Sequence, residues 1–155
     1  MRANELALEG IEIYLELEPG LPPVLGDAPQ LQQVLLNLVV NSEQAILQGS
    51  GRGSIRLHTR RVPGGRLAVE VIDDGPGIPP EALPRISDPF FTTKPAGVGT
   101  GLGLSIAYGI AHDHGGSVSV ESRPGCGAAF TVELPTALAP PIAVRLLSRH
   151  EAKDQ

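Results

Sequence analysis

Aromatic side chains are almost missing from this chain. Its 155 residues hold no tryptophan, two tyrosines and three phenylalanines, 3% aromatic in all. A core must therefore be built from Leu, Val, Ile and Ala, and an apolar fraction of 41% is enough for one domain of this length. Cysteine is as scarce. Cys126 stands alone, which excludes an internal disulfide and suits a reducing compartment. Between Gly125 and Gly127 it reads as a turn residue. Positive charge is also short, with 12 Lys and Arg against 17 Asp and Glu. The net charge of -5 supplies no basic field for a nucleic acid. No apolar run reaches the length of a membrane span, and the N-terminus has no signal-peptide pattern. A cytoplasmic location without membrane contact is expected, although a parent protein could itself be membrane-anchored.

Glycine and proline are plentiful instead, 19 and 15 residues, and they punctuate the chain. Ile11, Ile13, Leu15 and Leu17 alternate with polar residues as in a half-buried strand. Asp27 and Gln30 fit a capping box for a helix over 28–48. Residues 54–61 and 66–73 read as a hairpin around Gly64-Gly65. A short helix is expected over 79–85 and a longer one over 102–114, stopped by Gly115-Gly116. Strands at 117–122 and 128–134 complete the pattern. The order β-α-β-β-α-α-β-β predicts an α+β fold, one sheet with helices on a single face. Residues 1–135 form the expected domain, and 136–155 an Ala/Pro-rich, then charged, tail outside it. There are no internal repeats.

The stretch 89–105, PFFTTKPAGVGTGLGLS, is the densest in chemistry. Gly97, Gly99, Gly101 and Gly103 alternate with other residues, and helical spacing follows at once. Backbone without Cβ atoms can approach a ligand closely, and a helix N-terminus offers unpaired N–H groups to phosphate. No Gly-Lys-Ser/Thr follows, so this is not a P-loop, and the spacing does not fit G-x-G-x-x-G. Residues 86–101 form a long aperiodic loop, as functional lids often do. Phe90 and Phe91 in it read as anchors; Lys94 reads as a surface lysine or as a charge that could reach a terminal phosphate.

Two further features point to a polar cavity. At about 100° per residue, Gln30, Gln33, Asn37, Asn41, Gln44 and Gln48 fall in one stripe about 80° wide on an otherwise apolar helix. An ordinary solvated face would carry Lys and Glu. Asn37 and Asn41 lie one turn apart and can reach one ligand. Their amide oxygens are hard and neutral, as Mg²⁺ accepts beside water and phosphate oxygens. The same stripe also reads as a polar helix edge. In the strand before Gly75, Leu67, Val69, Val71 and Asp73 share a face, so Asp73 enters the core side. A buried carboxylate needs donors, which a purine amine could supply, or it closes an Asx-turn with Gly75. Asp74 points the other way, toward solvent.

Taken in order, these motifs resemble the catalytic ATP-binding domain of bacterial sensor histidine kinases, in the Bergerat (GHKL) ATPase superfamily. LLNLVVNSEQA is similar to the family's N box, DDGPGIP to its first glycine box, PFFTTK to its F box and GTGLGLS to its second glycine box. The likeness runs from about Gly26 to Pro135. It implies a two-layer α/β sandwich, a mixed sheet of about five strands with about three helices on one face, holding ATP and Mg²⁺. By position, Asn41 would ligate Mg²⁺ with Asn37 beside it. Asp73 would bind the adenine amino group, with Gly75 and Gly77 making room for the ring and Ile78 beside them. Phe90, Phe91, Thr92, Thr93 and Lys94 would belong to the lid. Gly99, Thr100, Gly101, Leu102, Gly103 and Leu104 would meet the phosphates.

Two positions depart from the family pattern. Ser87 stands where the F box carries a bulky apolar residue, and Ala128 where a small hydroxyl residue is common. Asn37 bears on the reaction. Hydrolysing relatives in the superfamily place there a Glu able to activate water, and an amide cannot take that proton. The resemblance therefore implies transfer of the γ-phosphate to a histidine on a separate helical dimerisation domain, with a response regulator downstream. The alternatives are a stand-alone serine kinase of the anti-sigma-factor type and a nucleotide-binding module without catalysis. His58, His112, His114 and His150 do not read as the acceptor, since no helical hairpin surrounds them.

Overall fold

The computed structural model describes residues 10–91 and 101–138. The chain runs β1 (Ile11–Leu17), α1 (Ala28–Gln48), β2 (Gly53–Val62), β3 (Arg66–Asp73), a 3-10 turn (Leu83–Arg85), α2 (Gly103–Asp113), β4 (Ser117–Ser122) and β5 (Ala128–Pro135). The five strands form one mixed sheet in the order β1-β2-β3-β5-β4. β1 and β2 are parallel because α1 carries the chain back between them; the other pairs are antiparallel. Among the described residues there are two α-helices, not three. The third expected one, over 79–85, shrinks to the 3-10 turn at Leu83–Arg85. Pro79, Pro80 and Pro84 supply no backbone N–H, which leaves too few donors for an α-helix of that length.

α1 and α2 pack on each other and on one face of the sheet. Val34, Leu38, Val39 and Ile46 of α1 and Ala107 and Ala111 of α2 meet Ile11, Ile55, Leu67, Val71, Phe130, Val132 and Leu134. Phe130 is the largest fully buried side chain, in keeping with the scarcity of aromatics. The two alanines on the inner side of α2 let it lie close. The other face of the sheet is polar, and there Glu70 receives Arg60 at 2.9 Å and His58 at 3.3 Å.

The start of α1 is only half as expected. Asp27 Oδ1 accepts the Gln30 amide at 3.0 Å, so Asp27 caps the helix. The reciprocal bond of a capping box is replaced, because the Asp27 amide donates to His114 Nε2 at 3.1 Å. His114 Nδ1 lies 2.8 Å from the Ile110 carbonyl, which assigns the proton to Nδ1. One neutral ring thus joins the N-terminus of α1 to the C-terminus of α2. Beyond β5, buried Thr136 bonds the Gly65 carbonyl and the Ala137 amide bonds the Pro23 carbonyl, so residues 136 and 137 are held against the domain.

Candidate functional site

Asp73 is the last residue of β3 and only 5% exposed. Strand alternation aims it at the helices, as it does Leu67 and Val71. Its Oδ1 accepts the Gly75 amide at 2.9 Å, so the Asx-turn forms as well. Burial pushes the carboxyl above its ordinary range; the Gly75 amide, the Ser42 hydroxyl and the Ala128 amide oppose this without cancelling it. Such a carboxylate is held in place at a cost in desolvation. Asp74 is exposed but not idle, since its two oxygens accept the Ser54 amide at 2.8 Å and the Ser54 hydroxyl at 3.0 Å.

Ser42, next to Asn41, gives no clear signal in the sequence and is the most telling addition. It is wholly buried, and its hydroxyl makes no hydrogen bond of normal geometry. It lies close enough to Asp73 to favour the charged form. The pair puts a buried hydroxyl beside a buried carboxylate at the end of β3. The only hint in the sequence was a lone small polar residue on the apolar side of α1.

The amide stripe opens in the middle of α1. Gln30, Gln33 and Gln48 are exposed, whereas Asn37, Asn41 and Gln44 are half-buried. Asn37 Nδ2 donates to the Gly103 carbonyl at 2.9 Å, and its Oδ1 accepts from Gln33 Nε2 at 2.5 Å. Asn37 therefore spends both ends of its amide inside the protein and ties α1 to the first turn of α2. Asn41 lies one turn further along the same face of α1 and is half-buried.

The loop after β3 is clipped from the opposite side. The Ile78 amide donates to Ser122 Oγ at 2.8 Å, and that hydroxyl donates to the Gly127 carbonyl at 2.7 Å. Gly77 has φ +81°, and a Cβ there would sit 2.2 Å from the Arg123 carbonyl oxygen. The close approach of that backbone is what requires glycine at 77. Gly75 faces Asp73 Oδ1 and Ile46, where a Cβ would meet them at 3.1 Å and 3.5 Å.

Two of the expected lid residues and the second half of the glycine box are described. The Phe90 amide donates to the Gly101 carbonyl at 2.9 Å, which joins the two ends of the loop at its base. A Cβ on Gly101, with φ +74°, would fall 2.4 Å from the Phe90 carbonyl carbon. Phe90 is 72% exposed with φ +66°, a costly backbone for a bulky residue. Phe91 packs on the core and carries the Arg85 guanidinium 4.6 Å over its ring. Of the two expected anchors, Phe91 alone is one. Leu102, Gly103 and Leu104 begin α2, and Leu104 touches the core. Thr92, Thr93, Lys94, Gly97, Gly99 and Thr100 lie outside the described residues.

Ser42 of α1 thus meets Asp73 at the end of β3, and Asn37 of α1 meets the head of α2. A family model for histidine kinase-, DNA gyrase B- and HSP90-like ATPases matches residues 26–138. The chain belongs to this ATPase family. Its relatives in the family include the sensory histidine kinase/phosphatase NtrB of Rhodobacter capsulatus, 46% identical over 137 residues and covering 81% of this chain. Full-length ShkA in complex with AMPPNP superposes on 90% of the chain with a TM-score of 0.75 and 35% identity. Histidine kinase ThkA in complex with the response regulator TrrA superposes on 86% with a TM-score of 0.70 and 32% identity. The chain spans 37%, 28% and 36% of these three proteins. Among the described residues, no helix is long and apolar enough to cross a membrane.

Proposed function

We propose that this chain is the ATP-binding catalytic domain of a cytoplasmic portion of a two-component sensor kinase. It binds ATP with Mg²⁺ and passes the γ-phosphate to a histidine on a separate helical dimerisation domain. The observation that carries the reading is buried Asp73, whose carboxyl keeps acceptor capacity beside the buried Ser42 hydroxyl. That is a seat for the exocyclic amine of adenine. Asn41 is the residue to hold Mg²⁺, whose role is to offset phosphate charge during transfer. The head of α2 faces the phosphates, with Gly99 and Thr100 before it and Lys94 in the lid. Asn37 has no carboxylate to activate water, and its amide is engaged at both ends. Both facts favour transfer to another nucleophile over hydrolysis. NtrB and ThkA, being histidine kinases, support a histidine acceptor, the ShkA complex with AMPPNP supports an adenine nucleotide, and the ThkA–TrrA complex supports a response regulator as the downstream partner.

Mixing the chain with γ-labelled ATP, Mg²⁺ and a cognate histidine-bearing helical domain tests the reading. An acid-labile phosphoprotein, lost in Asn41→Ala, is the expected result. An acid-stable phosphoserine would replace it with a serine-kinase reading, and absence of nucleotide binding would remove it.

A further inference from the structure

Gln33, Asn37 and Gly103 form one directed chain of amides. The Gly103 carbonyl can only accept, so the Asn37 atom facing it at 2.9 Å is Nδ2. Asn37 Oδ1 is then the atom facing Gln33, and the hydrogen in that 2.5 Å contact comes from Gln33 Nε2. A single backbone carbonyl thereby sets the orientation of two side chains one turn apart on α1.

The receiving end needs that hold. α2 starts at a glycine, among the poorest helix formers, and Leu102 at the cap position makes no side-chain cap bond. The Ser105 hydroxyl turns back to the Leu102 carbonyl at 2.9 Å, so it caps no amide of the first turn. Beside the packing of Leu104 on the core, Asn37 gives the first turn of α2 a polar tie from outside the helix.

We propose that Gln33 is a positioning residue: by locking the Asn37 amide in one orientation it fixes the first turn of α2, and so the seat of the nucleotide's phosphates. The phosphate half of this statement rests on the ATP reading above. Gln33 is exposed and acts through Asn37 rather than on the nucleotide.

Gln33→Glu and Gln33→Ala separate the possibilities. Glutamate keeps the size but has no donor, and its carboxylate attracts Asn37 Nδ2, turning the Asn37 oxygen onto the Gly103 carbonyl. Alanine removes the lock without that pull. Position 33 is exposed, so Gln33→Ala should melt near the parent chain, whereas Gln33→Glu should lose at most what Asn37→Asp loses. Amide hydrogen exchange at Ile106 and Ala107, without nucleotide, should speed up roughly tenfold in Gln33→Glu, the scale of one lost hydrogen bond, and less in Gln33→Ala. Affinity for a non-hydrolysable ATP analogue with Mg²⁺ should fall about tenfold in Gln33→Glu while that for AMP stays unchanged. Unaltered exchange at Ile106 and Ala107 would overturn the relay, and equal loss of AMP and the ATP analogue would overturn its link to the phosphates. If the parent chain binds no nucleotide while the exchange effect holds, the ATP reading and the phosphate link fall and the positioning of α2 by Gln33 stands.

Discussion

Asn37 reaches across 66 positions of sequence to donate its side-chain amide to the Gly103 carbonyl at 2.9 Å. The bond ties the middle of one helix to the first residue of the other, at the point where both border the candidate site. Asn37→Asp keeps the shape and removes the donor, setting two oxygens against each other. A loss of about 1–3 kcal/mol is expected. At about 2–4 °C per kcal/mol for a chain of this size, thermal melting at neutral pH resolves it. An unchanged melting temperature would mean that the contact contributes nothing.

Asp73 should weaken the fold in order to bind. Its carboxyl is raised by burial, so the folded state holds its proton more tightly than the unfolded state does. The stability this contributes is fully present below the ordinary carboxyl range and is lost as pH rises through the raised value. Asp73→Asn keeps an oxygen for the Gly75 amide and has no charge to bury. The variant should gain in melting temperature relative to the parent as pH climbs from about 4 toward neutrality. In the same variant ATP should bind far more weakly, with GTP affected less. Parallel melting curves across that pH range would contradict the burial argument, and equal weakening of ATP and GTP would contradict the adenine role.

Ser42→Ala is the converse case. Burying a serine usually involves a hydrogen bond whose loss destabilises by about 1 kcal/mol, but here none of normal geometry is made. The variant should melt within about 2 °C of the parent chain, less than one typical hydrogen bond is worth in a chain this long. Its affinity for an ATP analogue should nonetheless drop, since Asp73 loses a neighbour that favours its charge. Calorimetry on the two proteins reads both quantities, and a large stability loss with intact binding would make Ser42 a packing residue only.

Glu70, on the solvent face of the sheet, has the opposite sign. Burial raises its carboxyl, but Arg60 and His58 together hold it below the ordinary value. Its contribution is present above the unfolded value and lost as pH falls through the depressed one. Glu70→Gln should lower the melting temperature modestly at neutral pH, by the equivalent of at most about 1 kcal/mol for so exposed a set of partners. The gap between variant and parent should close in acid. A gap that widens on acidification would reverse the assignment.

Much of this was legible before any coordinates. Period-two alternation through Leu67, Val69 and Val71 placed Asp73 on the core face, and the 3.6-residue period gathered Asn37 and Asn41 on one side of α1. Other relations were not legible, because they join distant positions. His114 takes the Asp27 amide from 87 positions away, a bond no local capping rule contains. Arg123 comes within 2.2 Å of where a Gly77 side chain would start, so that glycine answers to a neighbouring loop as well as to its own turn. The helix expected over 79–85 failed locally, since its prolines supported only a 3-10 turn.

The sequence by itself determined the elements, the face each presents and the residue types gathered at the site, because these follow from periods of 2 and 3.6 and from the chemistry of Asn, Asp and Gly. The tertiary structure alone decided how each of those groups is bonded within the protein. Asn37 is engaged at both ends, Asp73 only in part, and Ser42 without a normal hydrogen bond. That division depends on distances between α1, α2 and β3, and only the packing of the two helices on the sheet sets them.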